Sequence, residues 1–278
     1  MPAVPFSTRL KERLYFRHAT RVRWKRLLPR WLYNALRVIL TPWDALAALR
    51  FLADSRLPLS PAERWRLVRR FYRTANHVDC PHDESQIFTV VTAILILPKS
   101  VPGVIVEAGC YKGGSTAKLS LAARAAGREL VVFDSFAGLP EVADTQDRSI
   151  FGRRVKFAGG DWCGTLAEVQ GNVARFGAPE VCRYVAGWFE DTMPHFREPV
   201  AAVFVDVDLA ASTRTCLKHL YPLLSPGGSL FSHDGHLLPV VEVYADAKLW
   251  EQEVGCPQPE IHGLGTAAFL HVVKTARP

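Results

Sequence analysis

Val104-Ile105-Val106-Glu107-Ala108-Gly109-Cys110-Tyr111-Lys112-Gly113-Gly114-Ser115-Thr116 is the stretch on which the reading of this 278-residue chain turns. Three apolar residues in a row, bounded by glycine, have the pattern of a short strand covered on both faces. The glycines let the backbone come close to a ligand. Ser115 stands where it can cap a helix predicted over 115–126. A strand, a glycine turn and a helix form the unit that places ligands at the carboxyl ends of strands in open α/β sheets.

Working outward, the same alternation recurs. Apolar runs at Val104–Val106, Leu130–Phe133, Val181–Val185, Ala201–Val205, Ser229–Phe231 and Ala267–Val273 are separated by helical segments at 115–126, 165–176, 211–224 and 239–254. Such an order predicts a parallel sheet with helices on both faces. Two strand candidates follow the last helix, near 260–264 and 266–274, so a seven-stranded, Rossmann-like sheet ending in an antiparallel hairpin is expected. Upstream, Asp83 can cap a helix whose Ile87, Val90, Val91, Ile94 and Leu95 repeat at helical spacing.

The net charge of +7 is unevenly spread. Residues 1–73 hold 17 Lys/Arg against 4 Asp/Glu, or +13, and the rest holds 17 against 23, or −6. That contrast divides the chain into a basic helical extension, 1–75, and an α/β domain, 76–278. Thr41-Pro42-Trp43-Asp44 and Ser60-Pro61-Ala62-Glu63 both read as helix starts, the second as a capping box. Helices over 42–53 and 61–73 are expected to pack near the mouth of the ligand site. Residues 9–37 alternate basic with apolar and aromatic residues, which suits basic amphipathic helices. Residues 1–37 are expected to touch an anionic membrane surface, with a lid or dimerisation role as the alternative. No specific nucleic-acid partner is expected, and a homo-oligomer is. The six scattered cysteines form no C-x-x-C pair, and no stretch is apolar enough to span a bilayer or act as a signal peptide. A cytoplasmic protein, peripheral to the membrane at most, is the expectation.

The first loop has the spacing G-x-x-x-G-G, not the G-x-G-x-x-G of dinucleotide sites. Glu107 at the strand end repels a pyrophosphate but suits the cationic amino and sulfonium end of S-adenosylmethionine. The second strand ends in Phe133-Asp134-Ser135, and an acid there, 25 residues beyond Gly109, can accept both hydroxyls of a ribose.

The segments VEAGCYKGGST (106–116), FDSFAGLP (133–140), AGWFEDTMP (186–194), FVDVDLAAST (204–213) and LYPLLSPGG (220–228) together closely resemble the macrocin O-methyltransferase family over about residues 76–278. The resemblance implies a class I methyltransferase that uses S-adenosylmethionine, usually with a divalent metal such as Mg2+, to methylate sugar hydroxyls on natural products. It makes Glu107, Gly109, Gly113 and Ser115 the loop at the methionine end and Asp134 and Ser135 the ribose contacts. Gly187-Trp188-Phe189 then lies beside the adenine. Asp206, His233 and Asp234 become the catalytic and metal-binding residues, with His236 nearby. The chain departs from the family where a pair of aspartates is usual and His233-Asp234 stands. It also lacks the usual glycine between Asp206 and Asp208 and the glutamate before Ser212-Thr213. One carboxylate fewer weakens a magnesium site but leaves one suited to zinc, manganese or iron. The acceptor is expected to be a small or lipid-linked hydroxyl compound. A phenol or carboxylate acceptor, or a degenerate cofactor-binding protein, are the alternatives.

Overall fold

Helix punctuation organises the first part of the structure, a computed structural model describing residues 41–141 and 146–275 together with 27–29 and 32. The helices expected within 9–37, and the membrane contact assigned to 1–37, lie outside the described residues apart from those few. Pro42 starts α1 (Pro42–Ala53), although the Thr41 hydroxyl makes no capping bond. Ser60 and Glu63 close a reciprocal capping box on α2 (Pro61–His77), with Ser60 N–H donating to Glu63 Oε2 at 2.8 Å. α2 runs across residue 75, where the charge changes. Asp83 precedes α3 (Glu84–Ile96) and its N–H donates to Gln86 Oε1 at 2.9 Å.

The regular α/β part then begins with β1 (Val104–Ala108), α4 (Gly114–Ala126) and β2 (Leu130–Asp134). A two-stranded antiparallel ribbon of β3 (Gln146–Arg148) and β4 (Arg154–Lys156) follows, then α5 (Leu166–Phe176) and β5 (Cys182–Ala186). The short α6 (Phe189–Thr192), β6 (Val200–Val205), α7 (Ala210–Leu220), β7 (Leu224–Ser232), α8 (Leu238–Ala245) and β8 (Leu270–Val273) complete it. The main sheet has the order β5-β2-β1-β6-β7-β8, parallel except for β8. The strand order reverses between β1 and β6, and this is where such sheets open a ligand crevice.

Successive residues of each central strand enter opposite cores, as the pleat requires. Ile105, Val132 and Phe204 join Phe51, Phe71, Ile87 and Val169 on one face. Val106, Val131 and Val203 join Leu217, Tyr244 and Trp250 on the other. α1 and α2 therefore belong to the same core as the sheet: Phe88 of α3 lies 5.2 Å from Phe51 and 5.5 Å from Phe71. α4 is enclosed on all sides, and its Lys118 is buried against Glu84 of α3 at 2.6 Å.

Three expectations need correction. The sheet has six strands, not seven, because Gly263 and Gly265 adopt positive φ (88° and 68°) and fold 263–267 into a turn. Only a single bridge, His262 to His271, remains of the strand expected at 260–264. Ser115 does not cap α4: the cap is Gly113 at φ 77°, a left-handed turn open to glycine, and Ser115 is buried inside the first helical turn. The helix expected over 239–254 breaks at Asp246, whose extended backbone and Oδ1 recap the chain through the N–H groups of Lys248 and Leu249.

Candidate active site

The carboxyl ends of β1, β2, β5, β6 and β7 open onto a cavity of about 1230 Å³. That is ample for a nucleoside cofactor and a second ligand. Gly109 follows β1 at φ 82°, and a Cβ there would stand 1.9 Å from the Asp206 carbonyl oxygen, so only glycine lets the loop lie against β6. Three non-glycine residues on the cavity wall, Tyr111, Trp162 and Asp208, also have positive φ (49°, 58° and 59°). Strained backbone of this kind persists where surrounding structure enforces it, often around ligands.

Asp134 ends β2 on the cavity wall. Its Oδ2 accepts the Cys110 N–H and its Oδ1 the Phe136 N–H, both at 2.7 Å, pinning two loops together. Each oxygen keeps a further acceptor position, so the carboxylate can still receive a pair of hydroxyls. Burial raises its pKa against those amides. Gly109, Ser135, Gly187, Trp188 and Phe189 also line the cavity. Glu107, Gly113 and Ser115 do not; all three are buried, Glu107 beneath the loop and Gly113 and Ser115 at the start of α4. Both Glu107 carboxylate oxygens are buried without a hydrogen-bond partner. Burial pushes its pKa up to about 7, with the neighbouring Ser115 and Thr116 hydroxyls opposing. A carboxyl in that state has acceptor capacity in reserve for a cationic ligand.

At the other end, β6 presents Asp206 and β7 presents His233. Asp206 Oδ1 meets His233 Nδ1 at 3.0 Å, and its Oδ2 meets His82 Nε2 at 2.8 Å. Burial alone would raise the Asp206 pKa, but the His233 and His82 imidazoles outweigh it and hold the carboxyl well below its usual range. His82 comes from the loop before α3; its Nδ1 lies 3.1 Å from Cys80 Sγ, and burial is outweighed by Cys80 and Asp206, which raise its pKa. Asp234 is buried and differently employed: its Oδ2 accepts the N–H groups of Val207 (2.8 Å) and Asp208 (3.0 Å). Burial and then Asp206 push its pKa up to about 7. His236, also on the wall, is pushed down to about 4 by burial and by His233.

Of the expected catalytic trio, then, Asp206 and His233 meet directly, and Asp234 serves the loop after β6. The group that comes to Asp206 instead is His82, which sequence reasoning missed. It sits in the α2–α3 linker with no periodic or motif signal, 124 residues from Asp206. Trp43 of α1, whose indole N–H donates to Asp83 Oδ2 at 3.3 Å, and the β3–β4 ribbon with Phe151 and Arg154 also contribute walls that no motif announced.

A mixed sheet of this order, with the cavity over its switch point, is the architecture of class I methyltransferases. The chain matches the macrocin O-methyltransferase description over residues 87–266 and belongs to that family of O-methyltransferases. It is 37% identical over 190 residues to the 8-demethyl-8-(2,3-dimethoxy-alpha-L-rhamnosyl)-tetracenomycin-C 4'-O-methyltransferase of Streptomyces olivaceus, covering 66% of this chain and 71% of that protein. It is 35% identical to the mycinamicin III 3''-O-methyltransferase of Micromonospora griseorubida, over 48% of this chain and 55% of the other. The solved O-methyltransferase NovP superposes with a TM-score of 0.60 over 85% of this chain and 99% of its own, at 20% identity, a likeness of fold.

Proposed function

We propose that this chain transfers the methyl group of S-adenosylmethionine to a hydroxyl of a sugar carried on a natural-product scaffold. The observation that carries the reading is the arrangement of two chemically distinct ends in one cavity. Asp134 and the Gly109 loop stand at β1–β2, and the His82–Asp206–His233 cluster stands at β6–β7. Glu107, unpartnered beneath the loop, supports a cationic ligand end, and Trp188 offers a flat apolar face to a base. The relatives named above act, by their names, on a rhamnosyl tetracenomycin and on mycinamicin III.

Methyl transfer is an in-line displacement at carbon with a good leaving group, so alignment is the main task; holding both reactants is worth up to roughly 7–11 kcal/mol. The acceptor's proton must also leave, since an alcohol does not ionise at neutral pH. Asp206 remains ionised there, and Asp206 and His233 are cavity-lining groups that can receive the proton. A divalent ion, where present, would lower the pKa of a bound hydroxyl. His82, Asp206 and His233 fit such an ion by donor type, and Asp234, engaged by two backbone N–H groups, fits it less well.

Incubation with trideuteromethyl-labelled S-adenosylmethionine and a panel of glycosylated and aglycone acceptors tests the reading. A labelled methyl on a sugar oxygen is expected. Asp206→Asn should lower kcat by about 100-fold or more while S-adenosylhomocysteine still binds. Label on a phenol or carboxylate, or full turnover by Asp206→Asn, would overturn it.

A further inference from the structure

We propose that His82, Asp206 and His233 form a binding site for a divalent transition metal, with two imidazole nitrogens and one carboxylate as protein ligands. Three separate parts of the chain deliver these groups: the α2–α3 linker, the end of β6 and the end of β7. One donor atom from each lies within 4.8 Å of the others. The two rings meet edge to face, with centroids 4.5 Å apart and planes at 70°, and Asp206 presents one oxygen to each.

Imidazoles that hold metals are usually fixed through their second nitrogen. His82 is fixed in that way, with Nδ1 at 3.1 Å from Cys80 Sγ and Nε2 turned to the cluster. His82 is only 3% exposed, whereas Asp206 and His233 line the cavity. The cluster is therefore walled by protein on one side and open on the other, the layout of a site that keeps a position for a small ligand. The charge balance points the same way. Asp206, Asp208 and Asp234 gather here, and among the described residues no lysine or arginine forms an ion pair with any of them.

The donor set separates this site from an oxygen-rich magnesium site. Asp234 Oδ2 is occupied by two N–H groups, and its Oδ1 comes no nearer than 3.9 Å to His233 Nδ1. Two nitrogen donors favour zinc, cobalt or copper, whereas magnesium prefers oxygen and sheds water reluctantly. The inference rests on the reading of this cluster as the acceptor end of the cavity, but its test needs neither acceptor nor cofactor.

The full-length chain is stripped with a chelator, dialysed and titrated calorimetrically with Zn2+ and separately with Mg2+. One tight equivalent of zinc is expected, bound about 100-fold or more above magnesium. His82→Ala should weaken zinc by about 10-fold or more with S-adenosylhomocysteine affinity unchanged, which also shows that the variant is folded. The unsubstituted chain supplies a second readout: loaded with one equivalent of Cu2+, its electron spin-echo modulation should report two coordinated imidazoles. One imidazole or none, equal affinity for zinc and magnesium, or zinc binding unchanged in a folded His82→Ala would overturn the proposal. If methyl transfer to sugars fails while two imidazoles are seen, the functional reading falls and the metal site stands.

Discussion

Glu107→Gln isolates the cost of a buried, unpartnered carboxyl beneath the glycine loop. Glu107 is fully buried, and burial raises its pKa from 4.5 to about 7. A raised carboxyl pKa means that the folded chain holds this proton more tightly than the unfolded chain does. Its contribution to stability is therefore fully present below pH 4.5 and is lost as pH rises to about 7. At ~1.4 kcal/mol per pH unit, the interval from 4.5 to about 7 is worth about 3 kcal/mol. Glutamine keeps the shape and removes the titration. Urea unfolding of the ligand-free chain and of Glu107→Gln at pH 5, 6, 7 and 8 gives a difference curve free of the other titrating groups. Across that range the wild type should lose about 2.5 kcal/mol relative to the variant, most of it before pH 7, the first part of the loss having fallen below pH 5. Curves that run parallel, or a wild type that gains on the variant as pH rises, would refute the reasoning. The variant should also bind S-adenosylhomocysteine more weakly above pH 7, where the wild-type carboxylate is charged.

Other substitutions probe the supports of the site. Gly109→Ala places a Cβ 1.9 Å from the Asp206 carbonyl oxygen at φ 82°, and should cost roughly 3 kcal/mol or more; a variant melting with the wild type would contradict the close approach of β1 and β6. Lys118→Met removes the buried ammonium that lies 2.6 Å from the buried Glu84, so urea unfolding should show a loss of about 3–5 kcal/mol, partly recovered by adding Glu84→Gln. A single variant within about 1 kcal/mol of the wild type would mean that the pair is not a buried ion pair. Asp134→Asn keeps one acceptor oxygen but not the charge that receives N–H groups from Cys110 and Phe136. Calorimetry should show S-adenosylhomocysteine affinity reduced by about 1–3 kcal/mol, and undiminished affinity would remove Asp134 from the ribose end.

Much of the scaffold was legible from local pattern. The strand runs at 104–106, 130–133 and 201–205 are cores of β1, β2 and β6, and the α1 span of 42–53 is as expected. These succeed because period and punctuation are properties of neighbouring residues. Gly109 and Asp134 were picked out for the same reason: each directly follows or ends a strand, and strand ends in this fold open onto the crevice, whereas Asp206 was picked out by the family resemblance. Where local pattern was ambiguous it misled. Ser115 reads as a cap, but two preceding glycines permit an earlier helix start, and the Gly263–Ala267 turn shortens a run that looks extended in one dimension.

By itself, then, the sequence determined the class of the domain, the glycine loop, the acid at the end of β2 and the family. Tertiary structure alone decided what meets Asp206. Asp234 is adjacent to His233 in sequence, yet it turns to the loop after β6, because the Val207 and Asp208 N–H groups need an acceptor in a buried place. His82 carries no periodic or motif signal, and the packing of α2 and α3 against the sheet brings it across 124 residues to a carboxylate with one oxygen to spare for each ring. Contacts of that separation depend on how whole elements pack, which no short window of residues encodes.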